Sequence, residues 1–512
     1  MANSNLFGDN DASSQRRKRE EQQVELRRQR TEELLNKKRV SSKDSVLSNS
    51  FENAKVLLYS NNIDEIYKGA YECRSLLSVE INPPIQEIIT SGIVSRFVEL
   101  LDSSFYEPFG NNPLCPKTRF ESAWVLTNIA SGNSEQTKYL VDRGAIPFLV
   151  KMISENDDLL VDQSVWALGN IAGDSEALRD KILNTNALES IINLINQYLS
   201  SQDHVKILRN LVWLLSNLNR GRNPLPTLEN MVISLKAIEA SIQVNDQEIV
   251  ADCFWCLSYM VDASSQITDQ ILNSPIMNRC YSILLAFSDS LNQLPHDSKI
   301  AKIGAHSISP IIRMLGNIAS GSEEQTDCIV KMGFLKFLHY IYYIHENKKL
   351  PRIRKEICWL LSNITAGSAS QVTYVIESEL LSLLIDSLSR FELFVRKEAS
   401  YAIMNTVYFC SKNIEYLRRL LDNNVLLALQ QYLDAVSTVP ESQIIVLDTL
   451  RYALEAGEKL KMKFGTNPVV QNMIDSKFID AVEDLQDTNN NIVAQKAYNI
   501  IVTFFEGEEE QL

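Results

Sequence analysis

The sequence predicts an all-α protein in which short helices are stacked as repeats. Residues 124–137 and 313–326 read WVLTNIASGNSEQT and RMLGNIASGSEEQT, and their last ten residues agree at eight of ten positions. A second pair of copies, WLLSN, occurs at 213–217 and again at 359–363. With 17 Gly, 14 Pro and 45% apolar residues in 512, the composition is that of an ordered helical chain. Internal repetition of this kind indicates one structural unit used several times.

A recurring anchor residue, followed four positions later by Asn, sets the length of the repeat. The pairs are Trp124/Asn128, Trp166/Asn170, Trp213/Asn217, Arg313/Asn317, Trp359/Asn363 and Tyr401/Asn405, and Trp255 joins the series with Tyr259 at the Asn position. The anchors are 42, 47, 42, 58, 46 and 42 residues apart, which suits helical repeats of the armadillo or HEAT kind. We attribute the one long interval to a polar loop around 292–298.

The spacing also predicts a binding surface. Residues four apart lie on one face of a helix, so each anchor and its Asn point the same way. Asn is a mediocre helix former, and its repeated use inside helices favours a role for the side chain. A carboxamide both donates and accepts hydrogen bonds, and an indole face attracts the head of Lys or Arg and packs against its stem. Stacked repeats would join these residues into a groove for an extended basic peptide. For any single pair, a core Trp with a surface or capping Asn remains the alternative.

Composition excludes several function classes. The net charge of −14 and the pI of about 5.1 argue against general nucleic-acid binding by the body of the chain. No run of 18 apolar residues predicts a membrane span, and the N-terminus has no apolar segment typical of a secretory signal. The eight Cys are scattered through apolar helical stretches, which is typical of reduced core residues in an intracellular protein.

Enzymatic motifs and cofactor sites are not evident. Cys253 and Cys256 form a CxxC, but the motif lies within a helical pattern without a second pair or a βαβ context. The five His are isolated, and the sequence has neither a Gly-rich phosphate loop nor a nucleophile elbow. A hydrolase or redox enzyme is therefore the weaker hypothesis, and we expect neither metal nor cofactor.

The first 50 residues stand apart from the repeats. Residues 16–39 read RRKREEQQVELRRQRTEELLNKKR and hold ten Lys or Arg against five Glu. A solvated basic helix or a nucleic-acid arm is one interpretation. Binding to the chain's own groove is the other, because Lys37–Arg39 is itself a basic triplet and tethering gives an effective concentration up to about millimolar. Self-inhibition is the resulting hypothesis.

The sequence also predicts the end repeats, one long loop and the helix boundaries. The repeats around 63–101 and 444–458 lack the anchor–Asn pair, as end repeats often do. Residues 103–116 are predicted to be a long loop, and Pro310 is predicted to begin a helix. A final helix is predicted near 492–505, followed by an acidic tail.

These features together resemble the importin-alpha (karyopherin-alpha) family over nearly the whole chain. The resemblance implies a right-handed armadillo-repeat superhelical solenoid of about ten repeats at 51–505, an importin-beta-binding segment at 1–50 and a short acidic tail at 506–512. It implies a nuclear import adaptor that links basic nuclear localisation signals of cargo, mono- or bipartite, to importin beta. It further implies recycling by an export receptor, shuttling between cytoplasm and nucleus through nuclear pores, and no direct nucleic-acid or membrane partner. The residues of the importin-beta-binding and autoinhibitory segment would be Arg16, Arg17, Lys18, Arg19, Arg27, Arg28, Arg30, Lys37, Lys38 and Arg39.

The resemblance also implies two signal-binding sites. The major site would comprise Trp124, Asn128, Gly132, Thr137, Gln163, Trp166, Asn170, Asp174, Trp213, Asn217 and Asp252. The minor site would comprise Asn317, Gly321, Thr326, Glu356, Trp359, Ser362, Asn363, Glu398, Tyr401 and Asn405. In the major site, the Gly132 carbonyl, the Thr137 hydroxyl and the Asp174 carboxylate would surround a lysine ammonium, which needs several acceptors. Tyr401 stands where the family has Trp, so we expect a weaker minor site.

An armadillo scaffold for another extended peptide ligand remains the alternative function. A scaffold for acidic ligands in signalling or adhesion would have a groove rich in Lys and Arg, and it would not need the basic N-terminal segment. The acidic body of the chain argues against it.

Overall fold

The computed structural model describes residues 47–78, 83–201, 203–293, 299–343 and 351–505. Every regular element in these ranges is an α-helix or a short 3-10 helix, which confirms the predicted all-α class. The basic cluster residues from Arg16 to Arg39 and the acidic tail at 506–512 lie outside the described residues, as does 294–298 of the predicted polar loop.

The α-helices are numbered in chain order. The first thirteen are α1 (Leu47–Leu58), α2 (Ile63–Leu77), α3 (Ile85–Thr90), α4 (Val94–Glu99), α5 (Leu114–Ala130), α6 (Ser134–Asp142), α7 (Ala145–Met152), α8 (Asp158–Asp174), α9 (Glu176–Leu183), α10 (Ala187–Tyr198), α11 (Val205–Leu218), α12 (Leu228–Ser241) and α13 (Gln247–Ala263). The others are α14 (Ser265–Leu272), α15 (Pro275–Gln293), α16 (Lys299–Ala319), α17 (Glu323–Lys331), α18 (Leu338–Tyr343), α19 (Pro351–Thr365), α20 (Ala369–Glu377), α21 (Leu380–Arg390), α22 (Leu393–Lys412), α23 (Leu417–Asp422), α24 (Val425–Ala435), α25 (Pro440–Phe464), α26 (Pro468–Asp475), α27 (Phe478–Glu483) and α28 (Asn491–Phe504). Short 3-10 helices occur at Ser103–Phe109, Phe334–Phe337, Ile414–Tyr416 and Asp484–Asp487.

Contacts divide the chain into two compact units. Unit 1 runs to Tyr259 and unit 2 begins at Met260, so the boundary falls inside α13. In unit 1 the long helices α2, α5, α8 and α11 pack each against the next, and in unit 2 the long helices α16, α19, α22, α25 and α28 do the same. The repeat is therefore two short helices followed by a long one, as α6, α7 and α8 illustrate.

The sequence specifies this repeat through caps and a buried apolar stripe. The Asn133 side chain accepts the Gln136 backbone N–H and begins α6. Gly144, with φ of 84°, turns the chain into α7. Leu149 of α7 and Leu168 of α8 are completely buried. Burying a side chain of this size contributes about 1.5–3 kcal/mol relative to leaving it exposed, and each repeat holds many of them.

The Gln that recurs at the start of the first helix of several repeats has a structural role. Gln136, Gln325 and Gln371 each complete a capping box at the start of α6, α17 and α20. The side-chain oxygen of each Gln is used in the cap, which leaves the Nε2 group free to donate elsewhere. Gln325 Nε2 donates to Asp269 Oδ1 at 2.7 Å, and Gln371 Nε2 donates to Asp327 Oδ1 at 2.7 Å. Each Gln thus joins the first helix of its repeat to the first helix of the preceding one. The SEQT-like motif marks a joint between repeats as well as a surface.

Two predictions about local structure need correction. Pro310 lies inside α16 and does not begin a helix, because packing of this long helix outweighs the one hydrogen bond that a proline removes. The segment 103–116 is only partly a loop: a 3-10 helix spans Ser103–Phe109, and buried Tyr106 donates its hydroxyl to the Leu100 carbonyl at 2.9 Å. The predicted terminal helix is confirmed as α28.

The cysteines are free thiols, and seven of the eight are buried. Burial raises the pKa of Cys253 well above its usual value, so this thiol of the CxxC stays protonated. In the described part of the chain, no helix is both long and apolar enough to cross a membrane.

Candidate functional site

The predicted anchor–Asn pairs all lie on the long third helices, α5, α8, α11, α16, α19 and α22. Trp124, Trp213 and Trp359 are half-buried, whereas Trp166 is 3% exposed. Asn128, at 2% exposed, is deeper than Asn363 of unit 2, which is half-buried. The prediction that each pair shares one helix is therefore confirmed in both units.

The Asn side chains of unit 1 link neighbouring long helices. Asn170 Nδ2 donates to the Thr127 carbonyl at 3.2 Å, and Asn217 Nδ2 donates to the Gly169 carbonyl at 3.0 Å. In both cases the acceptor is the residue just before the Asn of the preceding repeat. A carboxamide has two N–H groups and an acceptor oxygen, so one internal bond orients it without using its full hydrogen-bonding capacity.

Unit 2 repeats the same ladder. Asn363 Nδ2 donates to the Gly316 carbonyl at 2.9 Å, and Asn405 Nδ2 donates to the Ser362 carbonyl at 3.1 Å. Ser362, a predicted site residue, therefore contributes its main chain to this ladder. At the start of unit 1's series, buried Asn128 Nδ2 has no hydrogen-bond partner among the described residues. These shared bonds explain why Asn recurs at one position, a constraint that the sequence could not reveal.

The indole rings of two tryptophans pack directly against a glycine of the preceding long helix. A Cβ at Gly169 would lie on the six-membered ring of Trp213, and a Cβ at Gly316 would lie on that of Trp359. Each glycine immediately precedes the Asn of its own helix, in the sequences LGN at 168–170 and 315–317. The close approach of ring to helix backbone requires glycine at both positions. Sequence reasoning missed these residues, although their place before Asn170 and Asn317 was visible.

The residues of the predicted lysine pocket meet at the joint between α5, α6 and α8. Ser134 Oγ, at the first position of α6, donates to Asp174 Oδ1 at 2.8 Å, at the end of α8. Thr137 lies one turn further along α6, where its fully buried hydroxyl contacts the Ala130 and Asn133 carbonyls at 3.2 and 3.1 Å. Gly132 lies in the turn just before α6. Asp174 therefore contacts the first residue of α6, which lies two residues after Gly132 and three before Thr137.

The corresponding joint of unit 2 has a glycine at the position of Asp174. Thr326 contacts the Ala319 and Ser322 carbonyls at 3.3 and 3.0 Å, and exposed Gly321 precedes it as Gly132 precedes Thr137. Eight residues after its anchor Trp359, the chain has Gly367, whereas Asp174 occurs eight residues after Trp166. The predicted weakness of the minor site thus has a second physical reason besides Tyr401.

The polar residues three positions before an anchor have different partners. Gln163 Nε2 donates to the Thr127 hydroxyl at 2.7 Å in the buried interior, so its amide bridges α8 and α5. Glu356 accepts a hydrogen bond from the Arg313 guanidinium, a residue of the preceding long helix. Asp252 and Glu398 are both buried, at 5% and 6% exposed.

An arginine precedes the first tryptophan of each predicted site. Arg74 of α2 lies 4.8 Å from the centroid of the Trp124 ring and donates to Glu121 at 2.7 Å. Arg313 lies 5.0 Å from the centroid of the Trp359 ring. Sequence reasoning missed Arg74 because neither Arg74 nor Ser78, four positions later, matches the Trp–Asn pair. The available signal was its position 50 residues before Trp124, close to the repeat length.

Comparisons with known proteins identify the family. A family model described as Importin beta binding domain matches residues 8–72, and one described as Armadillo/beta-catenin-like repeat matches residues 133–173. Importin subunit alpha-1a of Oryza sativa subsp. japonica is 33% identical over 98% of this chain and 91% of its own length. The chain belongs to the importin-alpha family. Importin subunit alpha-4 of Arabidopsis thaliana is 31% identical, over 98% of this chain and 90% of its own length. An engineered protein of known crystal structure shares the fold, with a TM-score of 0.68 and 20% identity over 88% of this chain and 98% of its own.

Membership of the importin-alpha family confirms the predicted armadillo fold and the predicted role. The chain is a nuclear import adaptor that binds importin beta through its N-terminal domain and peptide cargo through its armadillo repeats. Proteins of this family are transport adaptors, so the prediction that the chain is not an enzyme is confirmed as well. The adaptor role implies shuttling between cytoplasm and nucleus.

Proposed function

We propose that the anchor–Asn faces of the long helices are the surfaces on which this importin-alpha protein binds basic nuclear localisation signals. The observation that carries the proposal is the Asn ladder, in which Asn170, Asn217, Asn363 and Asn405 each give one N–H to the neighbouring helix. Within each unit, this bond fixes the carboxamides of successive repeats in a row. An extended peptide presents N–H and C=O groups at regular intervals, so a row of oriented carboxamides suits its main chain whatever its sequence.

The major site is proposed for unit 1. Trp124, Trp166 and Trp213 would flank the stems of Lys and Arg, and Asn128, Asn170 and Asn217 would hold the peptide main chain. The Asp174 carboxylate would bind the central lysine, with the Gly132 carbonyl and the Thr137 hydroxyl as further acceptors. Bonds between a lysine ammonium and a carboxylate are charge-assisted and therefore the strongest in such a pocket. Gln163 and Asp252 complete the proposed set.

The minor site is proposed for unit 2 and is expected to be weaker. Asn317, Asn363 and Asn405 would hold the main chain, and Trp359 and Tyr401 would flank basic side chains. Gly321, Thr326, Ser362, Glu356 and Glu398 complete the proposed set. A phenol offers a smaller face than an indole, and the joint at Thr326 lacks the counterpart of Asp174. A bipartite signal would gain affinity by linking two contacts that are weak individually.

The same proposal includes autoinhibition by the N-terminal segment, recycling by an export receptor and no direct binding of nucleic acid. The basic triplet Lys37–Arg39 would compete with cargo for the major site until importin beta captures the N-terminal domain. An export receptor would return the chain from the nucleus to the cytoplasm through nuclear pores. The net charge of −14 disfavours direct binding of nucleic acid.

Charge reversal of Asp174 tests the major site. Asp174→Lys should lower the affinity of the full-length chain for a fluorescently labelled Lys/Arg-rich peptide about 100-fold, because it removes a charge-assisted bond and adds repulsion. Asp142→Lys is the matched control, since Asp142 is exposed and pairs with Lys181 on the surface of the same unit. Unchanged binding in Asp174→Lys, measured by fluorescence anisotropy, would contradict the assignment. Failure of a full-length chain with alanine at Lys37, Lys38 and Arg39 to bind the peptide would favour a scaffold for another ligand, because that chain lacks the competing basic triplet.

A further inference from the structure

The anchors of the two units form two runs, and each run of aromatic anchors begins after an arginine. Arg74 precedes the run that starts at Trp124, and Arg313 precedes the run that starts at Trp359. The two arginines occupy the anchor position of their own long helices, α2 and α16. The same residue type therefore appears twice at the same place relative to a predicted peptide site.

The contacts of the two arginines are alike. Each guanidinium lies about 5 Å from the centroid of the next anchor's indole, at 4.8 Å for Arg74 and 5.0 Å for Arg313. Each also donates to a glutamate three residues before that tryptophan, Glu121 in unit 1 and Glu356 in unit 2. The side chains of Arg313 and Glu356 are 12% and 11% exposed, so the pair is largely withdrawn from solvent.

These are the contacts that a Lys or Arg of a bound peptide would make. A cation stacked on an indole and bonded to a carboxylate has satisfied both attractions that the subsite offers. A second cation would find the carboxylate neutralised and would be repelled by the resident guanidinium.

We infer that Arg74 and Arg313 are internal ligands that fill the first cation subsite of each unit and so determine where the basic residues of a bound signal stop. The inference rests on the proposed function and deepens it, because it names residues that set the register of the peptide. Glu356, included above in the proposed minor site, is on this inference already paired with the protein's own arginine, and its carboxylate is not open to a cation of the cargo. The basic side chains of a bound peptide are then confined to the side of Trp124 that faces the later anchors of unit 1, and to the side of Trp359 that faces Tyr401 in unit 2.

Unit 2 offers the sharper test because its pair is less completely bonded. Arg313 Nε and Glu356 Oε2 are buried without a hydrogen-bond partner among the described residues, whereas Arg74 Nε donates to Glu121. Methionine keeps much of the length and the apolar stem of arginine but removes its charge. Arg313→Met therefore leaves the Glu356 carboxylate for a cation of the peptide.

The experiment measures the affinity of a labelled Lys/Arg-rich peptide for full-length chains by fluorescence anisotropy. Every variant carries Asp174→Lys, which disables the major site, and alanine at the competing basic triplet Lys37, Lys38 and Arg39. Arg313→Met is expected to tighten binding about tenfold, equivalent to about 1.4 kcal/mol. Arg313→Met combined with Glu356→Gln is the control, and it should show no gain because the carboxylate is gone.

The outcomes separate this inference from the proposed function. The comparator is the chain that carries Asp174→Lys and the three alanines but keeps Arg313. If it binds the peptide and the addition of Arg313→Met makes binding no tighter, the internal ligand is overturned and the proposed function stands. A chain with Asp174 intact and alanine at Lys37, Lys38 and Arg39 that does not bind the peptide overturns the proposed function. Thermal melting shows whether Arg313→Met is folded, since it leaves a buried carboxylate unpaired. If it is unfolded, Arg74→Met in a chain with Asp174 intact tests the same expectation in unit 1, and a lack of tighter binding there overturns it.

Discussion

Replacing Gly169 by alanine tests the packing that positions Trp213. The new Cβ would lie 2.6 Å from Trp213 Cε3 and 2.9 Å from Cη2, and closer still to Cζ3. Carbon atoms pack favourably at about 3.5–4.0 Å, so the indole would have to move by about 1 Å. The displaced ring is the one proposed to flank a basic side chain.

The expected sign of the effect on stability distinguishes this packing from an ordinary helix position. Alanine is favoured over glycine inside a helix by about 1 kcal/mol, so an unhindered Gly169→Ala would stabilise the chain. Overpacking a filled site costs about 1–3 kcal/mol, which outweighs that gain. The variant should therefore lose about 1–2 kcal/mol of unfolding free energy in unit 1.

Urea denaturation of single and double variants measures the effect. Trp213→Phe removes the outer ring atoms that clash, so Gly169→Ala should cost much less in that background. The coupling between the two positions is expected at about 1–2 kcal/mol, within the usual range for residues in contact. A Gly169→Ala variant that is more stable than the wild type, or a coupling near zero, would refute the placement of the indole.

Two further predictions concern stability and reactivity. Asn363→Ala removes a hydrogen bond of 2.9 Å and should cost about 1 kcal/mol of unfolding free energy, whereas Asn128→Ala breaks no such bond and should weaken peptide binding with little effect on stability. Equal losses of stability, measured by urea denaturation, would show that the ladder bond contributes nothing. Burial raises the pKa of Cys358 to about 12, so at neutral pH a maleimide should label half-buried Cys328 first and Cys358 only after unfolding. Rapid labelling of Cys358 in the native protein, detected by mass spectrometry, would contradict its burial.

The sequence predicted the repeat and the helix face because both follow from spacing alone. The intervals between Trp124 and Tyr401 identify the repeat length, and the four-residue offset to Asn places each pair on one helix. Pro310 shows the limit of such reasoning. A proline favours the first turn of a helix, but the packing of α16 against α19 holds it in the interior of a long helix.

The details of the candidate site depend on contacts between repeats, which spacing does not reveal. The role of Asn170 required knowing that the Thr127 carbonyl faces it from the neighbouring helix. The partner of Glu356 is an arginine 43 residues earlier in sequence, and only the packing of two long helices brings them together. Arg74 was overlooked because its repeat replaces both members of the anchor–Asn pair.

A crystal structure of the full-length chain with a Lys/Arg-rich peptide bound would show directly which face of the long helices binds the signal. We expect the extended main chain of the peptide to make hydrogen bonds with the carboxamides of Asn128, Asn170 and Asn217, with a lysine ammonium at the Asp174 carboxylate. A peptide bound away from this face, or one whose main chain makes no contact with these carboxamides, would contradict this expectation.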